Sequence, residues 1–280
     1  MKDQLQQRLT TRELGRSHEH YDSLTSTNDR GAQWLREGAV HGSLVTADTQ
    51  TAGRGRRGRM WSSPRGQLYA SVLLRAGPRS ASIGALGLAV AAGLQSGLAK
   101  FHRAHAALSE PMPVERLEIK WPNDLLVGGK KIGGILCETR WRGNDAEIVV
   151  GFGLNLHRRK FDASLDQQAT TLEAAWDLKS GLDSAAALAT VLAELEPMLE
   201  RFFLGGFPAI RADYLPHCCI LGQELWVPVT HPDGSADRIR VIALGLDEDG
   251  ALRVRSREGG REFRVESGDV WFVNPRGGNS

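Results

Sequence analysis

The sequence predicts an α+β fold, with helices packed on a mixed or antiparallel sheet, followed by a small all-β unit. Three observations predict it. Strand-like and helix-like segments interleave without strict alternation as far as residue 217. A long amphipathic stretch at 185–203 carries Leu188, Val191, Leu192, Leu195, Met198, Leu199 and Phe202 at helical spacing. Beyond Pro216, short apolar runs recur between turn signals, the pattern of a small β-barrel.

On this reading the 280 residues divide into a polar N-terminal extension (1–20), a main domain (21–217) and a C-terminal barrel (218–280). Residues 24–38 read as a helix that Ser26 or Thr27 can cap. Residues 45–49 are a short strand. In 67–75, Leu68, Ala70, Val72 and Leu74 alternate against Tyr69, Ser71 and Leu73, a strand pattern. The helix at 83–101 is rich in glycine and alanine, and such small side chains suit close packing on a sheet. Segments 117–121 and 124–127 flank a Pro-Asn-Asp bend, and Gly128-Gly129 is a hairpin turn into 131–138. Another strand follows at 147–154. The barrel strands are expected at 225–229, 238–246, 252–256 and 262–265, with turns at 231–234 and 247–250.

Composition excludes several classes. Apolar residues are 41% and charged residues 24%, ordinary for a globular chain and against disorder. The net charge of +2 implies no strongly charged partner. Cys137, Cys218 and Cys219 suit neither a zinc finger nor a disulfide framework. The first 20 residues lack the apolar core of a signal peptide, and 83–99 is interrupted by glycines, Gln95 and Ser96, so it reads as a buried helix. A cytoplasmic protein with no membrane and no nucleic-acid partner is expected.

Four motifs carry chemistry. Residues 50–61 (QTAGRGRRGRMW) place Arg54, Arg56, Arg57 and Arg59 among three glycines, directly before Trp61. Glycines let backbone close over a ligand, and guanidinium forks match phosphate and carboxylate oxygens. The like charges repel one another, so the loop is expected to order around an anion. The second motif is Lys120-Trp121-Pro122-Asn123-Asp124, followed by Lys131 in a K-I-G-G-I-L strand; Lys131 either snorkels or meets a carboxylate in a pocket. The third, Gly151-Phe152-Gly153-Leu154-Asn155, suggests close approach of another group to a strand. The fourth, Thr25-Ser26-Thr27-Asn28, is a helix cap or a set of partners for a polar heterocycle.

In this order, from Ser26 to Asn155, the motifs resemble the bacterial biotin protein ligases, and the C-terminal segment does so more loosely. The resemblance implies a catalytic domain like that of class II synthetases and lipoate ligases, with a barrel of the Src-homology-3 type. It implies biotin contacts at Ser26, Thr27, Asn28, Gln50, Gly53, Arg54, Arg56, Lys131 and Gly133. Nucleotide contacts are implied at Arg56, Arg57, Arg59, Trp61, Asn123 and Asn155, with Asn155 also a candidate metal ligand. Lys131, Arg54 and Asp124 are implied as catalytic.

The activity implied is adenylation of biotin by ATP with Mg²⁺, then transfer to a lysine of a biotin carboxyl carrier domain. Oligomeric state stays open, a homodimer included. About 20 residues precede the catalytic region, so a DNA-binding repressor module is not expected. The rival readings are a lipoate or octanoate ligase or transferase of the same fold, and a basic nucleic-acid-binding protein.

Overall fold

The computed structural model describes residues 1–77, 83–106, 117–161, 168–178, 181–230 and 236–274. Seven strands build the main sheet: β1 (His18–Tyr21), β2 (Leu44–Ala47), β3 (Leu68–Ala76), β4 (Leu117–Lys120), β5 (Asp124–Val127), β6 (Lys130–Arg142) and β7 (Asp145–Leu154). They lie side by side as β1-β2-β3-β7-β6-β5-β4. β1 and β2 are parallel and all other neighbours antiparallel, so the sheet is mixed. The Gly128-Gly129 turn joins β5 to β6 with both residues at positive φ, which a tight two-residue hairpin requires.

Alternation along the strands sorts the sheet into two faces. Val72, Leu74, Ile148 and Val150 point into the main core. Leu73 and Val149 point to the other face, where they meet Leu35 and Ala39 of helix α2 (Thr27–Glu37) and the turn after it. Ser26 is the N-cap of α2, and Gly38 ends it in the left-handed conformation at φ 101°. The core face is covered by α3 (Leu86–Ala106) and α5 (Ser184–Gly205), with the short α4 (Leu172–Ala175) between them in sequence. Asp183 caps α5 by accepting hydrogen bonds from the Ala185 and Ala186 amides.

The small residues of α3 serve a different neighbour from the one expected. A Cβ on Gly93 would lie 2.9 Å from the Leu195 side chain, and one on Gly97 would lie 2.5 Å from Val191 Cα. These glycines let α3 approach helix α5, not the sheet. The segment Ile83–Ala104 is long and apolar enough to cross a bilayer by length alone, yet 72% of its most apolar stretch is buried inside the fold.

The first 20 residues hold more than polar chain. They form α1 (Lys2–Gln6) and β1, and Leu5, Leu9 and Leu14 are buried in the main core. The buried Glu196 carboxylate on α5 clamps this segment, accepting hydrogen bonds from the amides of Arg12, Glu13 and Leu14 at 2.7, 2.8 and 2.9 Å.

After the short helix α6 (Arg211–Tyr214), the C-terminal strands are β8 (Glu224–Thr230), β9 (Ala236–Leu246), β10 (Leu252–Ser256), β11 (Glu262–Val265) and β12 (Trp271–Phe272). They form an antiparallel sheet in the order β11-β10-β9-β8-β12. The turn expected at 247–250 is closed by the Gly250 amide on Asp247 O at 3.0 Å. The one expected at 231–234 lies outside the described residues. Among the bonds that tie the C-terminal segment to the main domain, Trp121 Nε1 donates to Gly250 O at 3.1 Å and the Cys219 amide donates to Ile119 O at 2.9 Å.

Candidate functional site

The face of the sheet that carries α2 also carries the site. Tyr69 and Ser71 of β3 and Gly151 and Gly153 of β7 have the same strand parity as Leu73 and Val149. Two glycine pairs leave room on this face for large side chains. Gly153 faces Gly134 across β7 and β6, and Trp61 lies on the pair. A Cβ on Gly153 would sit 2.5 Å from Trp61 Nε1, and one on Gly134 would sit 3.1 Å from its Cζ3. Gly151 gives the same room to Asn28, whose amide is used at both ends. Asn28 Oδ1 accepts from Ser71 Oγ at 2.7 Å, and Nδ2 donates to Glu138 at 2.6 Å.

At one end of the cavity, Gln50 is locked against the start of α2. Its Oε1 accepts from the Thr27 amide at 2.8 Å, and its Nε2 donates to Ser63 Oγ at 2.9 Å. Ser26, Thr27, Asn28 and Gln50 all border the cavity. Gly53 lies behind them. A Cβ there would sit 2.6 Å from Trp61 O, so glycine lets the loop double back on itself; the Trp61 amide donates to Gly53 O at 2.9 Å.

The arginine loop finds its anions within the protein. Arg54 makes a bidentate pair with Asp29 at 2.7 Å on both arms and comes within 3.5 Å of Glu138. The hydrogen bond to Asp29 raises the Arg54 pKa. Arg59 pairs with Asp269, which the C-terminal sheet brings to the rim. Arg56 differs. It donates to Asn123 Oδ1 at 3.2 Å and Gly268 O at 3.3 Å, and the nearest carboxylate, Asp269, is 3.9 Å away. Burial lowers its pKa, and the like charge of Arg57 lowers it further. Arg57 is exposed, takes a left-handed backbone at φ 56°, and does not border the cavity.

At the start of β5 and β6, Lys131 Nζ meets Asp124 Oδ1 at 2.6 Å and lies 5.4 Å from the centre of the Trp61 ring. Of the two outcomes foreseen for Lys131, the carboxylate partner is the one realised. Asn123 holds the bend in place by donating from Nδ2 to Ile135 O at 2.9 Å. Asn155 is buried and borders the cavity; its backbone amide donates to Ile132 O at 2.7 Å, and its side-chain amide has no hydrogen-bond partner among the described residues. Gly133 faces away: a Cβ there would meet Leu154 Cδ2 at 2.6 Å, on the core side, while Gly134 fronts the cavity.

Most residues named from the motifs thus converge on one cavity, with Gly53, Arg57 and Gly133 outside its lining. Sequence reasoning missed Asp29, Ser63, Tyr69, Glu138, Arg159 and Asp269. Tyr69 carried a signal, since strand parity puts it on the face of Gly151 and Gly153. Asp269 carried none, because its place depends on how the two sheets pack.

Comparison with known proteins agrees with this geometry. Residues 21–155 match the biotin/lipoate A/B protein ligase family. The biotin–[acetyl-CoA-carboxylase] ligase of Paracoccus denitrificans is 31% identical over 256 residues, covering 89% of this chain and 98% of that protein. The enzyme of the same name from Mycobacterium tuberculosis is 30% identical over 259 residues, covering 89% and 87%. A solved structure, biotin protein ligase from Aquifex aeolicus in complex with biotin and ATP, superposes with a TM-score of 0.71 at 26% identity, covering 91% of this chain and 98% of that one. The curated relatives favour biotin over the lipoate reading, and the chain belongs to the biotin protein ligase family, ATP-dependent enzymes that attach biotin to protein.

Proposed function

We propose that the cavity joins biotin to ATP as biotinyl-5′-AMP and then passes biotin to a lysine of a biotin carboxyl carrier domain. The observation that carries this reading is that the cations Lys131, Arg54, Arg56 and Arg59 border the same cavity as the neutral hydrogen-bonding residues Ser26, Thr27 and Gln50. Cations and neutral hydrogen-bonding groups around one cavity suit a ligand that carries both a carboxylate and a ureido ring.

In the first step a biotin carboxylate oxygen attacks the α-phosphorus and pyrophosphate leaves. The carboxylate is already ionised at neutral pH, since its pKa is near the ~4.3 of a glutamate, so no base is required. The barrier is repulsion between the carboxylate and the phosphate. Lys131 and Arg56 offset it with positive charge, while Trp61 and the closed loop keep water from the anhydride. Gln50, Ser26 and Thr27 orient the ureido ring. In the second step the acceptor lysine nitrogen attacks the acyl carbon and AMP leaves. That lysine has a reference pKa of ~10.4 and must first lose a proton. Asp124, now held by Lys131, becomes free to receive the incoming ammonium once Lys131 turns to the ligand.

Mg²⁺ fits the oxygens at this place. Asn155 and Asp124 both border the cavity and carry side-chain oxygens, and Mg²⁺ takes few protein oxygens beside those of phosphates. Bound there, it would shield phosphate charge.

The test is mass spectrometry of a carrier domain incubated with the protein, biotin, ATP and Mg²⁺. One biotin on one lysine, dependent on ATP, is expected. Attachment of lipoate or octanoate in place of biotin, or no attachment, refutes the reading.

A further inference from the structure

Away from the cavity, at the C-terminal ends of the parallel strands β1 and β2, three side chains converge without a role in the chemistry above. One ligand atom each from His20, Asp22 and Asp48 lies within 4.8 Å of the others. The parallel register sets this up. His20 faces Thr46 and Tyr21 faces Ala47, so the chains leave the sheet side by side, and the Asp48 amide donates to Tyr21 O at 2.9 Å.

We propose that His20, Asp22 and Asp48 form a site for a divalent transition metal of the zinc class, with a solvent molecule as the fourth ligand. Two ligand atoms about 2.1 Å from a tetrahedral centre stand about 3.4 Å apart. His20 Nε2 and Asp48 Oδ1 are 3.4 Å apart. That separation is long for a charge-assisted N–H···O bond, which closes to about 2.7–2.9 Å, and it suits two ligands of one ion.

The surroundings orient the imidazole as metal sites do. His20 Nδ1 is 2.9 Å from Thr46 Oγ1, which leaves Nε2 facing the carboxylates. The same hydroxyl lies 2.8 Å from His18 Nε2. In the tautomer in which His20 donates to Thr46 and Thr46 donates to His18, His20 Nε2 offers its lone pair towards the carboxylates, as a metal ligand must. Arg65 pairs with the other oxygen of Asp48, Oδ2, and so backs the ligand rather than taking its place. One imidazole with two carboxylates favours zinc, cobalt or nickel over magnesium, which prefers all-oxygen octahedral sites. Bound metal would pin the two strand ends just ahead of Gln50, independently of the Mg²⁺ that accompanies ATP.

Zn²⁺ alone is titrated by calorimetry into the metal-stripped full chain near pH 7.5, in wild type and in His20→Gln and Asp22→Asn. Asp22 is exposed, so Asp22→Asn leaves the fold intact. One equivalent should bind wild type, and each variant should bind at least about 100-fold more weakly, as losing a ligand costs more than the 10–100-fold of an outer-shell partner. Co²⁺ should give the intense visible bands of a four-coordinate nitrogen and oxygen site with no thiolate charge transfer, and millimolar Mg²⁺ should not displace it. The proposal is overturned if wild type binds no equivalent of Zn²⁺, if both variants bind as tightly as wild type, if Mg²⁺ competes, or if the Co²⁺ spectrum shows cysteine ligation.

Discussion

Gly153→Ala tests whether the glycine pair exists to seat Trp61. The added Cβ would lie 2.5, 2.7 and 2.9 Å from Nε1, Cε2 and Cζ2 of the indole. Ordinary contact needs about 3.5 Å, so the ring must retreat by about 1 Å. The backbone of Trp61 cannot follow, because its amide is bonded to Gly53 O at 2.9 Å and its carbonyl accepts from Ser63 Oγ at 2.9 Å. The ring therefore swings, leaving Gly134 and the ammonium of Lys131. Overpacking of this kind costs about 1–3 kcal/mol of stability. A displacement of 1 Å among groups that position a reaction costs on the order of 10²-fold in rate. Thermal unfolding and biotin-dependent pyrophosphate release read the two effects. A double-mutant cycle with Trp61→Ala then isolates the clash: with the indole gone, Gly153→Ala should be close to neutral for stability, since alanine is no worse than glycine in a strand. The reasoning fails if Gly153→Ala matches wild type in both assays, or if its stability cost persists in the Trp61→Ala background.

Further expectations follow from the same geometry. Lys131→Ala should slow adenylate formation by roughly 10²–10³, the usual cost of removing one electrostatic stabiliser; an unchanged rate of pyrophosphate release would dismiss it. Gln50→Ala should weaken biotin binding by about 1–3 kcal/mol by unpairing buried polar groups, which calorimetry checks. For Glu196, burial alone would raise the pKa, but the amides of Arg12, Leu14 and Glu13 outweigh it and hold it below the ordinary value. Its stabilisation is thus complete above the unfolded pKa of ~4.3 and is lost as pH falls through the lower folded value. Glu196→Gln should cost about 1.5–3 kcal/mol in urea unfolding at pH 7, with the gap to wild type closing towards pH 3. Asp269→Ala should change stability by under about 1 kcal/mol, because Arg59 is half exposed. It should still raise the KM for ATP roughly fivefold, about 1 kcal/mol of lost loop positioning.

Local patterns were legible in the sequence and long-range ones were not. The alternation of 68–74 correctly separated core residues from Tyr69, Ser71 and Leu73 on the site face, because strand parity is a local property. Gly133, named from the resemblance, faces Leu154 on the core side, and its neighbour Gly134 fronts the cavity in its place. β1 escaped notice because HEHY is polar and His18 alone in it is buried, so no alternating apolar pattern marks the strand. Leu5, Leu9 and Leu14 are diluted among charged residues, and what holds their segment, the apolar core and the carboxylate of Glu196, lies far along the chain. The motifs named the arginines but not their partners: Asp29, Glu138 and Asp269 come from three different elements, and only the packed fold brings them together.

Those partners explain why the arginines of one short loop are not equivalent. Arg54 and Arg59 each hold a carboxylate of the protein, so an incoming phosphate must compete with an interaction already made. Arg56 is half-buried, hydrogen-bonded only to neutral oxygens, and crowded by Arg57. Its pKa moves down while that of Arg54 moves up, the signature of a charge whose desolvation has not been compensated. An anion that reaches Arg56 recovers that energy against two bonds to neutral oxygens, whereas one that reaches Arg54 gains only the difference between two ion pairs. The loop therefore divides its work. The flanking arginines spend their charge on fixing the loop to α2 and to the C-terminal sheet, and Arg56 is left poised over the cavity with its charge in reserve.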